Sequence, residues 1–161
     1  MATTDGYHFG RDQFALLLLR KFYPERTDSE SAIIRDFLQE HLEEYDAIDF
    51  SVRIGQGLTP DPSLLPQVAA NAVRSSKKRI DMVAYQGNVP VLIEAKTRVS
   101  HEVLGQLLTD KHLWIEENPD GPEPRLVAIG RRTDDDSLRA LAAHGVDVYI
   151  YEAVDSAANG G

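Results

Sequence analysis

The chain has 161 residues, the size of one ordinary domain, with 42% apolar and 27% charged residues. It holds no cysteine, which excludes a disulfide scaffold, a thiolate zinc site and a cysteine nucleophile. The net charge is −9, so the molecule as a whole repels nucleic acid, and any contact with it depends on where the basic groups sit.

The longest apolar run near the start, Phe14–Leu19, has six residues, against roughly 20 for a membrane span. No secretory signal opens the chain, so a cytoplasmic location away from membranes is expected.

In chain order, residues 1–9 carry no pattern and are expected to form a loose arm. Gly10–Tyr23 predicts a short leucine-rich helix, broken by Pro24 and the polar stretch Glu25–Ser29. Ser31–Tyr45 predicts a better one. Ile33, Ile34, Phe37, Leu38, Leu42 and Tyr45 recur at helical spacing, and Glu40, Glu43 and Glu44 lie mostly off that stripe. Ile48–Ile54 alternates and reads as a strand. Gly55–Ser76 holds three prolines and two glycines and reads as an excursion between strands, with a short helix suggested over Leu64–Val73.

Arg79–Tyr85 and Val89–Thr97 are predicted strands joined at Gln86-Gly87-Asn88, a hairpin signal. Ser100–Glu117 is a predicted helix with Ser100 as its N-cap. Arg125–Ile129 is a short continuous apolar run, as in a strand covered on both faces. Asp134–His144 predicts a helix closed by Gly145, and Val146–Glu152 a last strand. Residues 153–161 are expected to be a disordered tail. The expected fold class is α/β: a mixed five-stranded sheet in the order α-β-β-β-α-β-α-β, with helices on both faces.

The segment that carries chemistry is Arg79-Ile80-Asp81 followed by Ile93-Glu94-Ala95-Lys96. Residues two apart in a strand share a face, so Glu94 and Lys96 project together. The hairpin can bring Asp81 beside Glu94. Two carboxylates that close repel unless a cation lies between them. Hard oxygen donors suit Mg²⁺ or Mn²⁺, with the Ala95 carbonyl as a third protein ligand. Such an ion acidifies water, and Lys96 is placed to hold that water or stabilise developing charge. An edge-strand ion pair would give the same short pattern. The surrounding apolar strands and the capped helix that follows argue for a functional role.

The Asp81…Glu94-Ala95-Lys96 pattern, set between two helices, resembles the PD-(D/E)XK, or restriction-endonuclease-like, nuclease superfamily. Within it, Arg79-Ile80-Asp81-Met82-Val83-Ala84, Val91-Leu92-Ile93-Glu94-Ala95-Lys96 and Gly105-Gln106-Leu107-Leu108 are most similar to the nuclease domain of EndoMS/NucS-type mismatch endonucleases and related archaeal nuclease-like domains. The resemblance covers roughly residues 28–152 as one nuclease-like domain, preceded over 1–27 by an arm and short helix. It implies Asp81 and Glu94 as metal ligands, Lys96 as the water-orienting residue, and Gln106 and Glu30 turned toward the same site.

Thr27-Asp28-Ser29-Glu30 also has the form of a capping box, so Glu30 has two roles open to it. The superfamily's proline is Ile80 here. The Gly55–Ser76 excursion is longer than expected. The mismatch enzymes carry a separate N-terminal DNA-binding domain where this chain has about 27 residues, so mismatch recognition is not implied.

Local basic residues offer a phosphate track: Arg74, Lys77, Lys78, Arg79, Arg98, Lys111, Arg131 and Arg132. The expected function is a metal-dependent DNA endonuclease in repair, recombination or replication. The alternative is an inactive nuclease fold that binds DNA or a protein partner. The apolar Phe14–Phe22 stretch suits a homodimer, and a partner protein could supply targeting.

Overall fold

Residues 5–153 are described by a computed structural model, and within them six strands and five α-helices build one mixed sheet with helices on both faces. The elements are β1 (Tyr7–Gly10), α1 (Phe14–Leu19), α2 (Asp28–His41), β2 (Ala47–Ile54), α3 (Pro66–Ser76), β3 (Lys78–Gln86), β4 (Val89–Val99), α4 (His101–Glu117), β5 (Arg125–Thr133), α5 (Asp135–Ala143) and β6 (Val146–Ile150). The strands lie in sequence order. The first four pair antiparallel, and β4, β5 and β6 are parallel, each crossover being a helix.

The sheet has one strand more than the five expected. The extra strand is β1, which turns part of the expected loose arm into an edge strand paired with β2 through Tyr7↔Phe50 and Gly10↔Ala47. A four-residue strand has too few side chains to announce itself by alternation, and its partner lies some forty residues away. The expected helix over Gly10–Tyr23 is shorter, because the α-helix stops at Leu19 and an irregular segment runs on to Tyr23. The loose-arm assignment of residues 1–4, and the expected tail from residue 154 onward, lie outside the described residues.

Each face of the sheet has its own core. On one face α1 and α2 lay Leu17, Ile33, Ile34, Phe37 and Leu38 over Phe50, Met82 and Ile93. On the other, α4 and α5 lay Val103, Leu107, Trp114 and Leu141 over Val83, Leu92 and Ala128. The central strands β3 and β4 are covered on both sides, which is why they read as nearly continuous apolar runs. A charged residue in their middle therefore lies inside the protein. No helix among the described residues is long and apolar enough to cross a membrane.

Candidate active site

The hairpin turn sets the site. Gly87 takes a positive φ of 60°, and Gln86 pairs with Val89 across a two-residue turn. That register carries down the ladder to its last pair, Met82↔Ile93, and Asp81 and Glu94 are the next residues beyond it on the two strands. Both are buried, at 4% and 6% exposure. Oδ2 of Asp81 accepts the Ala95 N–H at 2.9 Å. Burial, together with the neighbouring Asp81 charge, pushes Glu94 up to about 9. Burial also raises Asp81, against the pull of Arg26. Two acids packed this closely need a shared proton or a cation between them.

Glu94 opens onto a cleft of about 490 Å³ lined by Lys78, Arg79, Glu102, Gln106 and Asp110, among others. Gln106 and Asp110 project there from successive turns of α4, whose start is fixed by Ser100 accepting the Glu102 N–H. Asp110 is 5% exposed, and burial together with Asp81 pushes it up to about 7, opposed by Lys78. A second cleft, about 570 Å³, takes Lys96, Arg98 and Glu30, and Glu102 borders both. Glu94 and Lys96, two apart on β4, thus open onto neighbouring clefts.

In fold the chain is similar to the EndoMS-dsDNA2 complex, at 17% identity and a TM-score of 0.44, over 83% of this chain and 49% of that one. It is similar to a repair endonuclease from Pyrococcus abyssi at the same identity and TM-score, over 83% and 50%. A protein of unknown function, AF1548, follows at 17% identity and a TM-score of 0.38, over 71% and 53%. The chain spans about half the length of each. No protein-family model and no curated protein matches it.

Glu30 takes the capping role that its sequence context allows. It closes the α2 capping box, its Oε2 accepting the Thr27 N–H at 3.1 Å while Thr27 Oγ1 accepts the Glu30 N–H at 3.2 Å. The same Oε2 lies 3.7 Å from Nη1 of Arg26, which in turn binds Asp81. Arg26 is a site residue that the sequence does not flag. It enters from the loop before α2, and nothing in a local pattern marks a loop arginine that ends beside a strand acid. Its Nε and Nη2 are buried with no hydrogen-bond partner among the described residues. Each idle buried donor costs about 1–3 kcal/mol.

Asp110 and Glu102 also escape sequence reasoning. For Asp110 a signal exists, because an acid four residues after Gln106 shares its helix face.

The basic residues divide into two sets. Lys78 and Arg79 line the Glu94 cleft, Arg98 lines the Lys96 cleft, and Arg132 stands beside Arg98 in the β4–β5 register. The others lie apart from these clefts. Arg74 pairs with Asp5 at 3.3 Å, and Lys111 with Glu123 at 2.5 Å. Arg131 bonds Asp36 at 2.5 Å and the Tyr151 carbonyl at 3.0 Å. Lys77 caps the C-terminus of α3.

Proposed function

We propose that this chain is a metal-dependent DNA endonuclease of the PD-(D/E)XK type that hydrolyses phosphodiesters with Asp81, Glu94 and Lys96. The observation that supports it best is the buried Asp81–Glu94 pair at the edge of a cleft whose rim carries Lys78, Arg79 and Gln106. A catalytic divalent ion suits these donors. Burial holds both carboxyls above their ordinary range despite the nearby Arg26, and hard oxygens match Mg²⁺ or Mn²⁺. No group of three or more His, Cys, Asp or Glu side chains that could hold a metal occurs among the described residues. The proposed ion is one that keeps several waters and takes one or two carboxylates.

Asp81, Glu94 and the Ala95 carbonyl would hold the ion. Such a cation acidifies water and neutralises charge on a phosphodiester oxygen. Lys96 orients the attacking water; its oxygen bonds to phosphorus, the P–O bond to the leaving sugar oxygen breaks, and that oxygen gains a proton. Gln106 holds the water or phosphate from α4, and Glu30 supports the site from α2. Lys78, Arg79, Arg98 and Arg132 receive flanking phosphates and fix the strand's register.

The substrate we propose is cytoplasmic DNA in repair, recombination or replication, with targeting supplied by a partner protein. Leu16, Leu19 and Phe22 stand exposed around α1 and suit pairing with a second copy.

One observation favours a second reading. Arg26 already neutralises part of the Asp81 charge, as in a nuclease fold that binds DNA or protein without cutting. Labelled single-stranded, duplex, mismatched, flap and four-way-junction DNA, incubated with Mg²⁺, Mn²⁺ or EDTA, separates the two. Cutting that needs metal and is lost in Asp81→Ala and Lys96→Ala supports the nuclease. DNA binding without cutting under every condition supports the second reading.

A further inference from the structure

Arg26 is a buried cation with an incomplete set of partners. Its side chain is 2% exposed, and Nη1 touches Asp81 Oδ1 and lies 3.7 Å from Glu30 Oε2. The favourable geometry for an arginine and a carboxylate is a two-pronged fork. Here one nitrogen is engaged, while Nε and Nη2 sit buried without an acceptor among the described residues.

The backbone that delivers Arg26 is also under load. Glu25 has a φ of 56° and Ser51 a φ of 54°, the left-handed region that non-glycine residues rarely occupy. The segments that carry these two residues are tied together by their neighbours. Ser51 Oγ donates to the Pro24 carbonyl at 2.8 Å, and Arg53 Nη2 bonds Glu25 Oε1 at 2.8 Å. Strand β2 thus holds a strained elbow that presses one guanidinium into the acid site. Idle donors and strain together mark a contact that a better cation can replace.

We infer that Arg26 is a displaceable plug: its guanidinium occupies the side of Asp81 that a divalent cation takes, and it leaves Asp81 when the ion binds. The plug presupposes the acid-site reading proposed above. It gives that site a resting state in which the acids are partly neutralised. It also predicts that metal affinity is held down by the protein's own side chain.

Calorimetric titration of Mn²⁺ into the full chain tests this with wild type, Arg26→Gln, Arg26→Lys and Asp81→Asn. Removing a positive charge beside the acids should tighten Mn²⁺ binding about tenfold or more in Arg26→Gln. Arg26→Lys, which keeps the charge, should stay within about threefold of wild type. Asp81→Asn should abolish binding. Should Arg26→Gln fail to fold, the wild type decides. The Arg26 Nε–H resonance, slow to exchange with solvent in EDTA, should exchange rapidly once Mg²⁺ is added.

Affinity in Arg26→Gln equal to or weaker than wild type, or an Arg26 resonance indifferent to Mg²⁺ while the metal binds, overturns the plug alone. No binding of Mn²⁺ to any of the folded proteins overturns the acid-site reading and the plug together.

Discussion

Asp110 stands one helical turn beyond Gln106 on α4, and both line the cleft onto which the buried Glu94 opens. The helix thereby adds a third acid near the strand pair, opposed by Lys78 from the rim. An aspartate in the unfolded chain gives up its proton near pH 3.9. In the fold Asp110 keeps it up to about 7. Between those values the folded state binds more protons, so this group makes stability fall as pH rises, and the loss is complete above about pH 7. Asp110→Asn should match wild type at pH 4 and exceed it at pH 8 by on the order of 2–4 kcal/mol without metal. Denaturant melts at pH 4, 6 and 8 check this; parallel pH profiles for the two proteins would contradict it.

The division of the basic residues predicts opposite phenotypes. Lys78→Ala with Arg79→Ala should weaken DNA binding and lower the slope of log K against log salt by about 2, near 0.9 for each phosphate no longer neutralised. Arg131→Ala removes a side chain tied to Asp36 and the Tyr151 carbonyl. It should leave the salt slope unchanged and cost about 1 kcal/mol of stability. Fluorescence anisotropy on labelled duplex across a salt series separates the two. An Arg131 effect on the slope equal to that of the rim pair would merge the two sets.

Gly130 on β5 pairs with Lys96 on β4 at close range. A Cβ there would lie 2.4 Å from the Lys96 carbonyl oxygen and 2.6 Å from Val99 Cγ2. Gly130→Ala therefore forces β4 outward at Lys96. We expect a loss of about 1–3 kcal/mol and a fall in cleavage of about 10²-fold, because small displacements of a positioned group are costly. Thermal melts beside initial rates test it, and wild-type values in both would show that the strand yields freely.

Much of this site is legible in the sequence because local rules determine it. A two-residue turn fixes the register of β3 on β4 down to Met82↔Ile93, with Asp81 and Glu94 next on the two strands, whereas Lys96, two residues on from Glu94, lines the neighbouring cleft instead of the one Glu94 opens onto. The Ser100 cap and the apolar stripe likewise place α4 and Gln106. What escapes depends on distant parts of the chain. Edge strand β1 exists only because β2 is there to pair with it. Arg26 reaches Asp81 across 55 positions and Arg131 reaches Asp36 across 95, and no window of sequence joins them. The clustering of Glu102 and Asp110 with Glu94 needs α4 laid on the sheet.

Glu94→Gln tests the central proposal most directly. Without metal at neutral pH the Glu94 carboxyl holds its proton, so the amide replaces it with little change of charge or shape. Thermal unfolding at pH 7.5 should therefore give a Tm at or above that of wild type. Mg²⁺-dependent cleavage of DNA should fall by about 10³-fold or more, because the neutral amide cannot serve as an anionic ligand. A stable but inactive Glu94→Gln is the predicted result; a Glu94→Gln that cuts DNA at the wild-type rate would contradict the proposed active site.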